Sequence, residues 1–444
     1  MEEISTKEKV EIEKKPKLWT KNFTIIILGS FVSMLGHSCT NFSFSLLVFD
    51  KTQSVALYSL MLAAGIIPQL FVPIFAGAVL DRHSRKNAIY IIDFIYTFLF
   101  VGLFVLTYIN YFNYAVYFVI MFVFGCLNSF YTVAYDSLYP NLISKGNYDK
   151  AYSVSSLIYP IASTIMIPIT GIIYEKVGLI PLFLGSAVLF LVTALVETRI
   201  DCAEPHLIKL KAEKESGADM VKINPFKKFG NDLVFGMKYL EKEKGLKSIT
   251  AFFFCTTLAG SVLSTLYLPY FKTEYADGIF LFNNSFILTA TLMYSVIMVS
   301  NTIGRLLGGL FHYFVKLPPH KKYNIAISVY ITLSLIDGAM LFMPYLAMLI
   351  LNLAGGFLAV NSFNIRISGT QNYVPDSVRG RFNATFVLLT NAGSIIGQLL
   401  TGRLGDILAK PHIALGAMVF NTIAIFAIIL RMRKYIKPIY NSTK

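Results

Sequence analysis

The chain has 444 residues, 55% of them hydrophobic and 14% aromatic, with only 14% charged and a mean hydropathy of +0.61. A soluble core cannot hide that much apolar surface, so composition excludes a water-soluble globular enzyme or binding domain and points to a membrane protein. The formal charge of +14 would suit a polyanionic partner only if Lys and Arg were gathered on one surface.

The first 22 residues are charged and contain Pro16, and the apolar run after them is too long for a signal peptide and lacks a small-residue cleavage site. It is predicted to stay as a span. Crossing ~30 Å of hydrocarbon takes roughly 20 helical residues. Twelve runs reach that length: 23–49, 55–79, 87–108, 114–138, 151–174, 179–198, 248–271, 283–313, 323–343, 345–371, 382–402 and 411–430. Barrel strands need about half as many residues, so the expected fold is an all-α membrane protein of twelve transmembrane helices.

One long loop, 199–247, divides the runs six and six. The expected organisation is a tail (1–22), a six-helix bundle (23–198), a linker (199–247), a second six-helix bundle (248–430) and a C-terminal tail (431–444). Within the linker Phe229, Leu233, Met237 and Leu240 recur at helical spacing among Lys238, Lys242 and Lys244, predicting an amphipathic helix that lies on the membrane surface or packs beneath the bundle. The halves echo each other. Tyr139-Pro140-Asn141-Leu142-Ile143 after run four matches Val374-Pro375-Asp376-Ser377-Val378 after run ten, and Thr170-Gly171 matches Thr401-Gly402 at nearly the same offset. A phrase of Gly, three residues and an acid closes runs two, five and eleven: Gly77 to Asp81, Gly171 to Glu175 and Gly402 to Asp406. Such repetition predicts two pseudo-symmetric bundles.

Thirty-two of the 39 Lys and Arg residues fall in the two tails and the even-to-odd loops. Cytoplasmic loops retain positive charge, so the chain is expected to be a multi-pass plasma-membrane protein with both termini cytoplasmic. The charge is topology, spread over many loops and not gathered into a nucleic-acid groove. Cys39, Cys126, Cys202 and Cys255 have no paired spacing and read as free thiols.

Polar side chains in hydrocarbon turn toward protein or water. Run one carries Ser30, Ser33, His37, Asn41 and Ser45 on one side; run four Asn128, Thr132 and Tyr135; run eight Asn301, Arg305 and His312; run ten Asn361, Asn364, Ser368 and Gln371; run eleven Asn391, Ser394, Gln398 and Thr401. These stripes predict that runs 1, 4, 8, 10 and 11 surround a central path, with 3, 6, 9 and 12 toward lipid. For any single Ser or Asn, a hydrogen bond between packed helices is the commoner explanation. His37 at mid-depth is a candidate for carrying a proton or meeting substrate. Arg305 and Arg366 need an anionic partner or a polar cavity, and Arg366, off the Asn stripe, reads as half of a structural ion pair. Asp93, Asp136 and Glu197 read as inner-face salt bridges, and Asp50 and Asp337 as weaker proton candidates.

Gly77 to Lys86 reads G-A-V-L-D-R-H-S-R-K and resembles the signature between helices two and three of the major facilitator superfamily. The Pro68-Gln69 pair, the Pro140-Asn141-Leu142-Ile143 exit and the segment from Val374 through Arg381 resemble the drug-exporting branch that includes macrolide and enterobactin exporters. The resemblance implies that Gly77, Asp81, Arg82, Arg85 and Lys86 form a gating loop, Gly77 permitting close helix approach and Asp81 with its cations latching one conformational state. Two departures stand out. Gly309-Leu310-Phe311-His312-Tyr313 after run eight lacks the acid, and His37 stands in run one where several proton-driven relatives have a carboxylate.

The expected function is secondary active, proton-coupled export of amphipathic small molecules such as macrolides, by alternating access and as a monomer. Coupling or cavity candidates are His37, Asn41, Asn128, Tyr131, Asn301, Arg305, Asn361, Asn364, Arg366, Asn391 and Gln398. Phe42, Phe44, Tyr159, Tyr267 and Phe363 are further aromatic candidates for a loose apolar site. A dedicated exporter of a siderophore, lipid or other metabolite is the alternative, and a sensor on a transporter scaffold belongs to a different class. No G-x-x-x-x-G-K-[ST], H-E-x-x-H or G-x-S-x-G motif occurs, so neither nucleotide hydrolysis nor enzymatic chemistry is expected, and no cofactor or metal.

Overall fold

The computed structural model describes residues 17–144, 146–208, 225–281, 286–315 and 317–442, and among them nearly all regular structure is helical. Eleven helices are long and apolar enough to cross a membrane, and a bent pair, Val55–Leu70 with Val72–Leu80, supplies a twelfth. In chain order spans 1 to 12 are Lys21–Thr52, the bent pair, Arg85–Tyr108, Tyr114–Leu138, Tyr148–Val177, Ile180–Glu197, Lys244–Glu274, Ala290–Phe314, Lys322–Ala339, Tyr345–Tyr373, Asp376–Gly405 and Lys410–Ala424, the last continued by a π-helical turn at Ile425–Leu430. The surface exposes Phe98, Leu335, Leu346 and Ile350. Water would penalise such a belt, whereas lipid tails solvate it.

Local chemistry sets the helix ends. The first N–H groups of a helix lack intrahelical partners, and Thr20, Ser54, Ser84 and Thr289 accept from Phe23, Leu57, Asn87 and Leu292 to open spans 1, 2, 3 and 8. Span 2 bends by 42° where Pro68 and Pro73, which have no N–H, interrupt the ladder. Between spans 7 and 8 the chain forms an antiparallel hairpin, Ile279–Leu281 with Phe286–Leu288. The expected eighth run began at 283, whereas Phe286–Leu288 is strand and the helix starts at Ala290; residues 283–285 lie outside the described residues. A short apolar run looks the same in either state.

The packing repeats with an offset of six. Span 1 packs on spans 5 and 6, span 2 on span 4, and span 3 on spans 4 and 6. Span 7 correspondingly packs on 11 and 12, span 8 on 10, and span 9 on 10 and 12. Contacts between the halves obey the same exchange, span 2 meeting span 11 and span 5 meeting span 8. Glycine permits the closest of these approaches. A Cβ on Gly125 of span 4 would sit 2.5 Å from the Gly65 carbonyl oxygen of span 2, and one on Gly356 of span 10 would sit 2.1 Å from that of Asn301 in span 8. Without a hydrophobic driving force between helices, such small-residue contacts supply the dispersion energy.

Both described chain ends lie on one face, here the near face. Ser144 Oγ donates to the Lys17 carbonyl, and Asn441 Nδ2 and Ser442 Oγ donate to those of His320 and Gly369. The linker helix, Pro225–Lys242, packs beneath span 11 on this face. Arg381 Nε donates to Asp232 Oδ1 at 2.9 Å, Thr385 fills the space of the missing Gly236 side chain, and Leu240 is buried while Met237 points out. Phe229 lies outside the residues whose side chains are described.

Gly77, expected to allow close helix approach, has nothing within 4 Å of where its Cβ would stand. Gly356→Ala should therefore lower the thermal unfolding midpoint of the purified protein, at a cost of about 1–3 kcal/mol for overpacking, while Gly77→Ala leaves it unchanged. Equal midpoints for the two variants would contradict the packing described.

Candidate functional site

A cavity of about 500 Å³ lies between the halves. Span 1 supplies much of the wall, including His37, Asn41, Phe42, Phe44 and Ser45; span 2 adds Tyr58, Met61 and Gln69; span 4 adds Met121 and Asn128. The second half closes the opposite side through Ser264, Tyr294, Met298 and Gln398. Phe42 and Tyr294 stack across the gap with centroids 5.2 Å apart. No Asp, Glu, Lys or Arg lines this volume. Its polarity comes from amides and hydroxyls, its remaining wall from aromatic rings and flexible thioethers, the mixture typical of small-molecule sites.

Four of the candidates, His37, Asn41, Asn128 and Gln398, line the cavity, as do Phe42, Phe44 and Tyr159. His37 is half-buried, its ring at right angles to those of Tyr96 and Phe190 with centroids 4.9 and 5.0 Å away, and its buried Nε2 has no hydrogen-bond partner among the described residues. Tyr96 brings span 3 to the wall, although that span was expected to face lipid.

Span 10, expected on the central path, contributes nothing to this wall. It packs on span 8, and its stripe is taken up elsewhere: Asn361 Nδ2 donates to the Phe357 carbonyl of its own helix and Gln371 Nε2 to Asn383 Oδ1 of span 11 at 2.9 Å, while Asn352, outside the stripe, accepts from Asn301 Nδ2 of span 8 at 3.2 Å. Asn301 Oδ1 in turn accepts from Arg305 Nε. Asn364 and Asn391 are half-buried outside the cavity, and Tyr267, hydrogen-bonded by Asn352, and Phe363 also lie off its wall. Arg366, read as half of an ion pair, instead lies over the rings of Phe253, Phe363 and Phe386 at 5.4, 5.0 and 4.5 Å. Aromatic faces stabilise a desolvated guanidinium, so no carboxylate is required. Asp93, Asp136 and Glu197, expected in salt bridges, form none among the described residues.

The bonds of Asp406 and Lys272 join the two halves at the far face, above the cavity wall where the Tyr58 and Tyr294 hydroxyls of spans 2 and 8 also approach each other. Asp406, ending span 11, accepts from the backbone N–H groups of Val55 and Ala56 at 2.7 and 3.2 Å and from Ser54 Oγ at 2.9 Å. A carboxylate there takes the orphan donors and the positive end of the helix dipole of span 2. Gly402 and Gly405 seat span 11 directly on Ser59 and Val55. Lys272 of span 7 pairs with Asp50 of span 1 at 3.0 Å, and Tyr174 donates to the same carboxylate. The phrase ending at Asp406 is visible in the sequence, but its partner, about 350 residues away, is not.

At the near face the signature loop makes no such bond. The Asp81 side chain is 73% exposed, and its ion pair is local, with Arg85 at 4.0 Å. Arg85 Nη1 donates to the Ser137 carbonyl, tying span 3 to span 4. Glu204 of the linker accepts from the Arg85 N–H and Ser84 Oγ and so caps span 3, a role the sequence did not suggest.

The comparisons with known proteins agree with this architecture. The Major Facilitator Superfamily profile matches residues 26–398. An uncharacterized MFS-type transporter of Bacillus subtilis (strain 168), YkuC, is 25% identical over 256 residues, 57% of each chain. The nucleoside transporter NupG superposes with a TM-score of 0.69 at 16% identity, covering 94% of this chain and all of that one. A D-xylose-proton symporter superposes with a TM-score of 0.66 at 13% identity, covering 95% and 100%; at these identities the likeness is one of fold. With twelve spans, exchange symmetry between two halves and a profile match over most of its length, the chain is a secondary transporter belonging to the Major Facilitator Superfamily.

Proposed function

We propose that this transporter exports amphipathic small molecules, uncharged or singly cationic, in exchange for protons, with macrolides as the class its signature segments favour. The observation that carries the reading is the uncharged cavity wall, in which amides and hydroxyls alternate with aromatic and methionine side chains. A multiply charged anion would leave water for a site offering no cation, a transfer costing several kcal/mol, and Arg305 and Arg366 stand outside the wall. That weighs against an acidic siderophore. A dedicated carrier of one neutral metabolite is the second reading, favoured by Asn41, Gln69, Asn128 and Gln398, which could fix a single ligand in one orientation.

With the near face cytoplasmic, as the Lys and Arg distribution suggests, the bonded far face makes this an inward-open or occluded state. The two six-helix units, 23–198 and 248–430, would then rock about the cavity, the 199–247 linker spanning the divide. Opening outward requires Asp406 to leave span 2 and Lys272 to leave Asp50. A proton gradient supplies ~2.3 kcal/mol per charge per 100 mV, comparable to a few such bonds at about 1 kcal/mol each.

Efflux-deficient bacteria expressing the chain should accumulate several-fold less ethidium and radiolabelled macrolide, and a protonophore should restore accumulation. Asn41→Leu and Gln398→Leu should reduce the effect about tenfold without changing membrane expression. Unchanged accumulation by well-expressed wild type would sink the broad-export reading in favour of the dedicated carrier.

Removing the far-face bonds should shift the population outward. In a background with the four native cysteines replaced, Ser45→Cys should react several-fold faster with an external, membrane-impermeant maleimide when Asp406→Ala is added. An unchanged or slower rate would mean that Asp406 does not hold the outer gate.

A further inference from the structure

Spans 1, 3 and 6 meet at a junction near the near face that contains two acids and no base. Asp93, in span 3, and Glu197, the last residue of span 6, are both fully buried. Their carboxyl groups lie within hydrogen-bonding range of each other. Asp93 Oδ2 accepts from Ser33 Oγ of span 1 at 3.3 Å. The other three carboxyl oxygens find no donor, and neither acid forms an ion pair among the described residues.

Span 1 presents Ser30 and Ser33 and, one turn beyond, His37. Span 3 adds Tyr96, whose hydroxyl is committed to the Phe124 carbonyl at 3.1 Å. Span 4 presents Cys126, Tyr131 and Tyr135. The Tyr131 hydroxyl faces both acids and is buried, and it and Tyr135 lie toward Ser30 Oγ without forming a well-aligned hydrogen bond from Tyr131 or Ser30 among the described residues. No Lys or Arg acts on either carboxyl group.

The second half shows what a satisfied junction looks like. Where spans 7, 9 and 12 meet, Asn421 Nδ2 donates to Ser334 Oγ at 2.9 Å, and Thr256 Oγ1 donates to Asn421 Oδ1 at 3.1 Å. Those are the counterparts of spans 1, 3 and 6, and there a neutral triad closes with its donors matched to acceptors. In the first half two acids occupy the corresponding junction, and three of their four carboxyl oxygens go without a bonded donor among the described residues. Two bare carboxylates in contact, out of water and without a cation, repel too strongly to persist. What the site lacks is one hydrogen between two oxygens.

We propose that Asp93 and Glu197 form a proton-binding site in which a single proton is held between the two carboxyl groups. Loading is a simple transfer: a hydronium ion arriving from the near face gives its proton to one carboxylate oxygen, forming an O–H bond directed at the other, and leaves as water. The site is built onto the cavity wall. A Cβ on Gly29 would stand 2.7 Å from Glu197 Oε1, so the carboxyl group lies flat on the backbone of span 1. Gly36, two turns on, is likewise pressed by Phe190 of span 6, and His37 beside it lines the cavity. Losing the proton would set two like charges against each other beneath the helix that supplies the largest share of the wall, and so would bias how span 1 seats between spans 3 and 6.

This deepens the proton-driven reading, but its test needs no substrate. Purified protein in nanodiscs at neutral pH should show a protonated-carboxyl C=O infrared band that shifts on deuteration. Asp93→Asn or Glu197→Gln should each abolish that component, because either amide ends the sharing, while Asp136→Asn and Asp337→Asn should leave it in place. Either isosteric variant that folds suffices. A spectrum unchanged in both overturns the proposal, as does wild type that lacks the band and gains thermal stability with added sodium, which would assign the junction to a metal cation. If the band behaves as expected while drug accumulation is insensitive to protonophore, the proton site stands and proton-driven export falls.

Discussion

The carboxylate of Asp406 on the N-terminus of span 2 is the contact on which this conformation depends. A helix that begins in a membrane leaves backbone donors where water is scarce, and here two of them are satisfied by a residue from the other half of the chain. Because donors and acceptor belong to different units, the bond defines how the units dock. Gly402 and Gly405 bring span 11 against Ser59 and Val55, and the Lys272 to Asp50 pair closes the adjoining corner. With the far face joined in this way, the cavity lies behind a bonded wall, and the charges of the near-face signature are left without partners across the divide.

Much of the fold was legible because hydrocarbon imposes few solutions. Span 4 was read as 114–138 and is Tyr114–Leu138; span 6 was read as 179–198 and is Ile180–Glu197. Apolar length alone carries that information. The start of span 8 was misplaced because length and hydropathy do not separate a strand from a helix over a few residues. The cavity was half legible. Helical periodicity reports which residues share a face, so His37, Asn41 and Asn128 were found together, but it does not report what that face meets. Span 10 has as good a polar stripe as span 1, yet its Asn361 serves its own helix backbone and its Gln371 an amide of span 11.

Charged side chains in the spans show the same limit more sharply. Each has to be neutralised, paired or solvated, and sequence alone does not choose among these. Arg366 takes three aromatic faces. Asp50 takes a lysine from the other half. Asp93 and Glu197 take each other, an outcome that local reading discourages because loop cations stand nearby in sequence, and that only tertiary packing of spans 1, 3 and 6 makes possible. The halves share a packing scheme, not the chemistry placed in it.

Spans 2 and 11 carry this contrast to its mechanical consequence. Both cross the whole molecule side by side, and each ends in a carboxylate: span 11 at the far face in Asp406, span 2 at the near face in Asp81. The first sits on the N-terminus of span 2. The second is exposed, with the linker helix touching both the end of span 2 and the start of span 11. Span 11 begins at the near face with donors of its own, opened by Pro375 and Asp376 without a side-chain cap. Rigid units pivoting at the cavity cannot close both faces together, so in the proposed cycle freeing Asp406 and approaching span 11 with Asp81 are one movement. Exchange of one carboxylate-on-helix contact for its symmetry mate keeps the two states close in energy, as a carrier requires if a modest gradient is to drive it.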